Sequence, residues 1–275
     1  MNQPQRAYLS IFFISILWGT IPLIIKTTEI SSLALVGTRT FIGAVVLFLF
    51  IEKKVYNFKQ LIKHGLVLGP LLAIHWAAMF ESINLNSVAV GIGLVFTYPI
   101  FLILLNLFMG NSISKRQISL VILGFFGVYL LLDVGEISSP LGVFYGLVSA
   151  IMIALLITYG EPLSKQLGGL NVAFSQVFIA ALCLSPFTFN NIDWILNNIF
   201  ISFFLGGVLT GLGLVIYWNS LKIITPLAVG TITYTEPLTG VLLSSLLLSE
   251  SLALTQYIGF AIVLSVGIVQ VLKVR

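Results

Sequence analysis

Glu236 stands nine residues into an apolar stretch that runs from about residue 227 to 248. At ~1.5 Å of helical rise per residue it lies on the order of 14 Å below one face, close to the middle of a bilayer. A carboxylate at that depth is costly as an anion, so it is protonated, paired or hydrated, and its default chemistry is substrate contact or proton coupling. A protonated acid bonded to a neighbouring helix is the structural alternative. Tyr98 holds the matching position in an earlier stretch, and Tyr234 precedes Glu236 by two residues. A phenol offers apolar area with a polar tip, which suits a cavity wall or an interhelical hydrogen bond. His75 and Trp76, about ten residues into the third stretch, and Trp18, about ten into the first, lie away from the interfacial depth where tryptophan collects. They suggest a lined cavity, against the plainer reading of a buried, hydrogen-bonded histidine.

Arg39 lies two turns below the outer face of the second stretch, where it can bind a carboxylate inside the protein or, the reading favoured here, snorkel to headgroups. Pro99 and Pro237 sit mid-stretch, where each ring removes a backbone donor and frees a carbonyl, of Val95 and Thr233 respectively. Those helices are expected to kink, with the freed carbonyls paired or facing a watery cavity. His64 is eleven residues from His75, so no metal-ligand spacing exists, and neither a metal nor a cofactor is expected. Tyr217, Trp218 and Asn219 close the eighth stretch and read as an interfacial aromatic belt. Gly65 with Gly69, and Gly207 with Gly211, are small-xxx-small pairs that read as close helix contacts.

These residues need membrane helices to hold them. Of 275 residues, 59% are hydrophobic and 8% charged, with a mean hydropathy of +1.12. A soluble domain is about 25% charged. Apolar spans fall at about 7–25, 33–51, 65–83, 88–109, 117–133, 141–160, 170–189, 199–221, 227–248 and 255–273, each near the ~20 residues that cross a bilayer. The first follows Arg6 as a signal peptide follows its basic start, but it is long and lacks an A-x-A-like cleavage site, so it reads as a membrane helix. The single cysteine, Cys183, falls in an apolar run and reads as helix packing.

The net charge of +4 does not point to nucleic acid, because the cations are not interleaved with aromatics on a polar surface. Ten helices put both termini on one side. That side collects Arg6, Lys53, Lys54, Lys59, Lys63, Lys115, Arg116, Lys165, Lys222, Lys273 and Arg275, against Lys26 alone opposite, which predicts cytoplasmic termini in the cell membrane. The longest polar connection, Glu52 to His64, leaves no room for a nucleotide-binding domain, and no G-x-x-x-x-G-K-[ST] run occurs.

The halves echo each other at an offset near 139: AVGIGLVFTYP from Ala89 meets AVGTITYTEP from Ala228, and SISKRQ from Ser112 meets SLALTQ from Ser251. Five helices per repeat is an odd number, so the second repeat, 137–275, enters the membrane from the side opposite the first, 1–136. Charge agrees: the loop after the fourth span carries Lys115 and Arg116, whereas its counterpart carries Glu250 and no cation. The expected fold is an all-α membrane protein of ten helices in two inverted five-helix repeats.

At this point the sequence resembles the drug/metabolite transporter superfamily, in its ten-helix EamA type, over nearly the whole chain. The likeness rests on Leu17-Trp18-Gly19, Arg39 in TRTF, Tyr98-Pro99, Glu236-Pro237, and LLLSESL from Leu246 followed by Gln256 and Gly259. Asn111 departs from it, standing where the family often places an acid like Glu250. The resemblance implies a secondary transporter of small metabolites, such as amino acids or related amphipathic compounds, often exported, by alternating access around a midplane cavity. The expected partners are that small molecule, the lipid bilayer and a proton as candidate coupling ion, with a single chain as the transport unit. A passive facilitator shares every feature above. An intramembrane enzyme would need paired acids or a nucleophile with its base, and the sequence has no H-E-x-x-H, no G-x-S-x-G and no second mid-membrane acid near Glu236.

Overall fold

The computed structural model describes residues 2–51, 58–133, 135, 137–248 and 252–272, without the side chains of residues 26, 27, 244, 245, 247, 248 and 272. Glu250, Lys53, Lys54, Lys273 and Arg275 lie outside the described residues. Ten spans follow in order. The first comprises α1 (Gln3–Trp18) and α2 (Ile21–Thr27); the second is α3 (Ser32–Phe50) and the third α4 (Phe58–Leu85). The fourth joins α5 (Val88–Val95) to α6 (Tyr98–Phe108), and the fifth is α7 (Lys115–Leu132). The sixth and seventh are α8 (Pro140–Leu167) and α9 (Gly169–Phe189). After a short α10 (Ile192–Asn197), the eighth combines α11 (Ile199–Phe203), a π-helical segment (Phe204–Leu212) and α12 (Gly213–Leu221). The ninth joins α13 (Pro226–Ile232) to α14 (Thr235–Leu248), and α15 (Leu254–Leu272) is the tenth. Residues 58–64, expected in a polar connection, extend α4 by two turns, and α8 likewise runs past its expected end at 160.

The packing has the symmetry of an inverted repeat. The second span packs on the seventh and the fifth on the tenth, each pair made of equivalent helices. The third packs on the sixth as the eighth packs on the first, and the third on the seventh as the eighth on the second. Direction follows from the hydrogen bonds at the ends. Ser220 Oγ donates to the Ala7 carbonyl (3.4 Å) and Gln270 Nε2 to Tyr8 Oη (3.4 Å), while Asn219 Oδ1 accepts from Gly169 N–H (3.2 Å). The start of α1, the ends of α12 and α15 and the start of α9 therefore share one face. At the opposite face Asn86, after α4, exchanges hydrogen bonds with Ser139, before α8 (2.8 and 3.2 Å), so α8 starts at the face where α4 ends, away from the start of α1.

Arg6, Lys63, Lys115, Arg116, Lys165 and Lys222 all fall at the terminal face, whereas Glu29, Asp133 and Asp193 lie at the other. Apolar side chains cover the outside, among them Phe48, Phe108, Phe126 and Phe200, as a protein bathed in hydrocarbon requires. Cys183 is exposed on this lipid-facing surface, not packed between helices. Gly65 and Gly69 take α9 at close range: a Cβ at Gly65 would sit 2.5 Å from the Ser175 carbonyl oxygen. In the eighth span the close contact shifts from the expected Gly207 to Gly206, where a Cβ would meet Ile42 at 2.5 Å. The wider π turn changes which glycine faces the second span.

Candidate functional site

Three spans break just ahead of a proline. Pro22, Pro99 and Pro237 each fall in the first turn of the second half-helix, α2, α6 and α14. Pro99 and Pro237 were expected to kink continuous helices; like Pro22, they instead start new ones, because proline lacks only an N–H that a first turn leaves unused. The Thr233 carbonyl, expected to be freed, accepts from Glu236 N–H at 2.9 Å, and Thr97 plays that part for Ile100 N–H at 2.9 Å. The breaks place Tyr98 and Glu236 in the first turns of α6 and α14.

The broken fourth and ninth spans cross at these points. The Thr233 hydroxyl donates to the Gly230 carbonyl (2.9 Å), so the 2.6 Å bond between Tyr98 and Thr233 has Tyr98 Oη as donor. Phe96 and Tyr234, equivalent residues of the two repeats, meet with ring centroids 6.0 Å apart.

Against this crossing lies a cavity of about 80 Å³, room for a few waters. Trp18, Arg39, His75, Trp76, Tyr98 and Glu236 all line it. Tyr234 does not. It is fully buried, its hydroxyl donating to the Val121 carbonyl (3.2 Å) and its ring lying over Gly124 of α7. Tyr234→Phe should therefore cost about 0.6 kcal/mol of stability, the usual scale of a membrane hydrogen bond, and leave transport unchanged. Thermal unfolding in detergent beside a flux assay checks both.

Three lining residues were read differently from sequence. Tyr217 and Trp218, expected as interfacial anchors, are buried and form a cavity wall. The Tyr217 ring meets Trp18 at 5.7 Å and Trp218 at 5.5 Å. Neither the Tyr217 hydroxyl nor the Trp218 indole N–H has a partner among the described residues. Helices α1, α8 and α9 surround the end of α12, which hydropathy places near an interface.

Arg39 is the larger correction. It does not snorkel: the side chain is fully buried, its guanidinium carbon 4.2 Å over the Trp76 ring and 5.6 Å from Phe80. Its Nε donates to Thr210 Oγ1 at 3.1 Å, and neither terminal nitrogen has a protein hydrogen bond among the described residues. Glu236 also lacks a hydrogen-bond or ion-pair partner for its carboxylate there. The ion pair among the described residues joins Lys165 to Glu161 at the surface, so Arg39 and Glu236 share a cavity more than 4.0 Å apart. His75 Nδ1 bonds to Ser149 Oγ (2.8 Å) and to its carbonyl (3.1 Å). Trp18 donates its indole N–H to the Leu209 carbonyl at 2.7 Å.

The cavity is thus apolar and aromatic, with one cation and one acid on its wall and no ion pair within 4.0 Å between them. A profile of the EamA-like transporter family matches residues 5–133 and again 140–272. An uncharacterized transporter of Archaeoglobus fulgidus is 23% identical over 91% of both chains. The uncharacterized transporter YvbV of Bacillus subtilis is 25% identical over 94% of this chain and 90% of its own. A solved crystal structure superposes with a TM-score of 0.74 at 16% identity, covering 96% of this chain and 97% of that one.

Proposed function

Because the chain belongs to the EamA-like transporter family, we propose that it is a secondary transporter that exchanges small zwitterionic, amphipathic metabolites of the amino-acid kind for protons. The observation that carries this reading is an Arg39 guanidinium with its terminal nitrogens free of hydrogen bonds and a Glu236 carboxyl without a hydrogen-bond partner among the described residues, both on one aromatic-walled cavity. A buried charge left unpaired is expensive, and a guanidinium with its terminal nitrogens unused fits a carboxylate through two parallel bonds. A substrate with its own carboxylate and ammonium would satisfy both residues at once. The apolar body would then lie against Trp18, Trp76 and Phe96.

Proton coupling follows from competition. A proton and a substrate ammonium both need the Glu236 carboxylate, so binding of one displaces the other, and that exclusion makes an exchanger. At about 80 Å³ the cavity must widen to hold such a molecule, which supports alternating access by movement of one repeat against the other. The cations at the terminal face favour cytoplasmic termini.

Proteoliposome flux of L-leucine beside 3-methylbutylamine, the same body without the carboxylate, tests the reading. Arg39→Gln should lower L-leucine flux at least about tenfold and spare the amine, since only the first has a group for the guanidinium. Equal loss of both would speak against carboxylate recognition. Uphill accumulation driven by a pH gradient separates exchange from passive facilitation.

A further inference from the structure

The π-helical segment of the eighth span, Phe204–Leu212, belongs to none of the three broken spans, yet it touches two cavity residues. Thr210 Oγ1 accepts from Arg39 Nε at 3.1 Å, and the Leu209 carbonyl accepts from Trp18 Nε1 at 2.7 Å. π segments inside α-helices are uncommon and often mark functional sites. This one contains Gly206, Gly207 and Gly211, with Gly213 just beyond, which weakens the competing α-helix.

Its geometry explains why Thr210 can serve Arg39. The hydroxyl spends its only hydrogen on the Leu205 carbonyl, five residues back, at 2.8 Å, as π spacing permits. The oxygen then has lone pairs alone to offer, and Arg39 Nε–H takes one. The fit is close on the second-span side as well: a Cβ at Gly43 would stand 3.0 Å from the Thr210 methyl.

With Trp76 against the guanidinium's face and Thr210 on its ε edge, the terminal edge of Arg39 is left over. It is this edge that carries the buried nitrogen without a partner. We propose that Thr210 is the positioning residue for Arg39, orienting the guanidinium so that its terminal edge receives a substrate carboxylate, and that the π segment is what brings Thr210 there. The inference rests on the reading of the cavity as a zwitterion site. Without the threonine oxygen, the guanidinium can turn about its stem while keeping its stack on Trp76.

Binding of L-leucine and of 3-methylbutylamine to the purified, full-length protein tests this, with thermal unfolding recorded for every variant. Thr210→Val, which keeps the shape and removes the hydroxyl, should weaken L-leucine about tenfold and leave the amine unchanged. Thr210→Ser should bind both probes as the parent does. A purely structural role for Thr210 would move both probes together, and that result, or no change for either, would overturn the proposal. Arg39→Gln separates the two levels of inference. If it weakens L-leucine while Thr210→Val does not, positioning fails and the zwitterion site stands. If it leaves L-leucine untouched, the zwitterion site fails, and positioning with it. Absence of binding of either probe to the parent overturns both.

Discussion

Glu236→Gln is expected to reduce pH-driven flux to background while leaving substrate exchange measurable. The substitution keeps the shape of the side chain and its hydrogen-bonding ends but removes the ability to gain and lose a proton. Because no described residue donates to the Glu236 carboxylate, the change should leave the local packing intact. The backbone N–H of residue 236 still bonds to the Thr233 carbonyl, and Tyr98 still bonds to Thr233. In proteoliposomes, the parent should accumulate substrate against its gradient when a pH difference is imposed. The variant should equilibrate labelled substrate across the membrane at a rate insensitive to pH. Unchanged uphill accumulation in the variant would falsify the coupling role.

The energetic demand on this residue is considerable. Shifting a two-state transporter from 1:99 to 99:1 takes about 5.5 kcal/mol of differential binding, and a single carboxyl rarely supplies that alone. Arg39 shares the cavity, so a substrate that engages both charges can contribute a second term that the proton does not. The pair therefore matters more than either member. A double variant, Arg39→Gln with Glu236→Gln, should show less loss than the two single losses combined, since both act on one bound molecule.

The architecture was legible because a membrane leaves few options: backbone groups must be satisfied inside each span, and hydropathy marks the spans. The inverted repeat was legible because five is odd and the two AVG-containing stretches echo each other. Facing was not. Arg39 and the Tyr217–Trp218 pair were assigned by depth, and depth along a helix does not say whether a neighbour covers that side. Tyr234 was assigned by closeness to Glu236, but the helix break between Ile232 and Thr235 turns it toward α7.

Pro22 follows Trp18-Gly19 by three residues and breaks its helix by the same chemistry as Pro99 and Pro237, so that break was readable from sequence and missed. The π segment had only its glycines as a signal, and glycines in membrane helices more often mark plain close packing. Thr210 was invisible for that reason. A threonine in an apolar span ordinarily bonds back into its own helix, and nothing in the spacing sets it opposite Arg39.

Gly19→Ala is the second substitution expected to act strongly, and its argument is steric. Gly19 caps α1 at φ −59° and ψ −12°, a conformation any residue adopts, so no backbone strain is introduced. What the glycine permits is approach. A Cβ there would lie 2.6 Å from the Glu236 carbonyl oxygen and 2.6 Å from Thr239 Cβ, so the break in the first span is seated directly on the start of α14. The added methyl can be relieved only by moving the first span and α14 apart, and α14 carries Glu236. Overpacking of this kind costs about 1–3 kcal/mol. The displaced carboxylate should cost more in function than in folding, because Glu236 would no longer face Arg39 across the cavity. Gly267→Ala is the matched control: a Cβ at Gly267 meets nothing within 4 Å. We expect Gly19→Ala to lose most L-leucine flux with only a modest drop in thermal stability, and Gly267→Ala to keep both. Full flux in Gly19→Ala would show that the seating of the first span on the ninth does not govern where Glu236 stands.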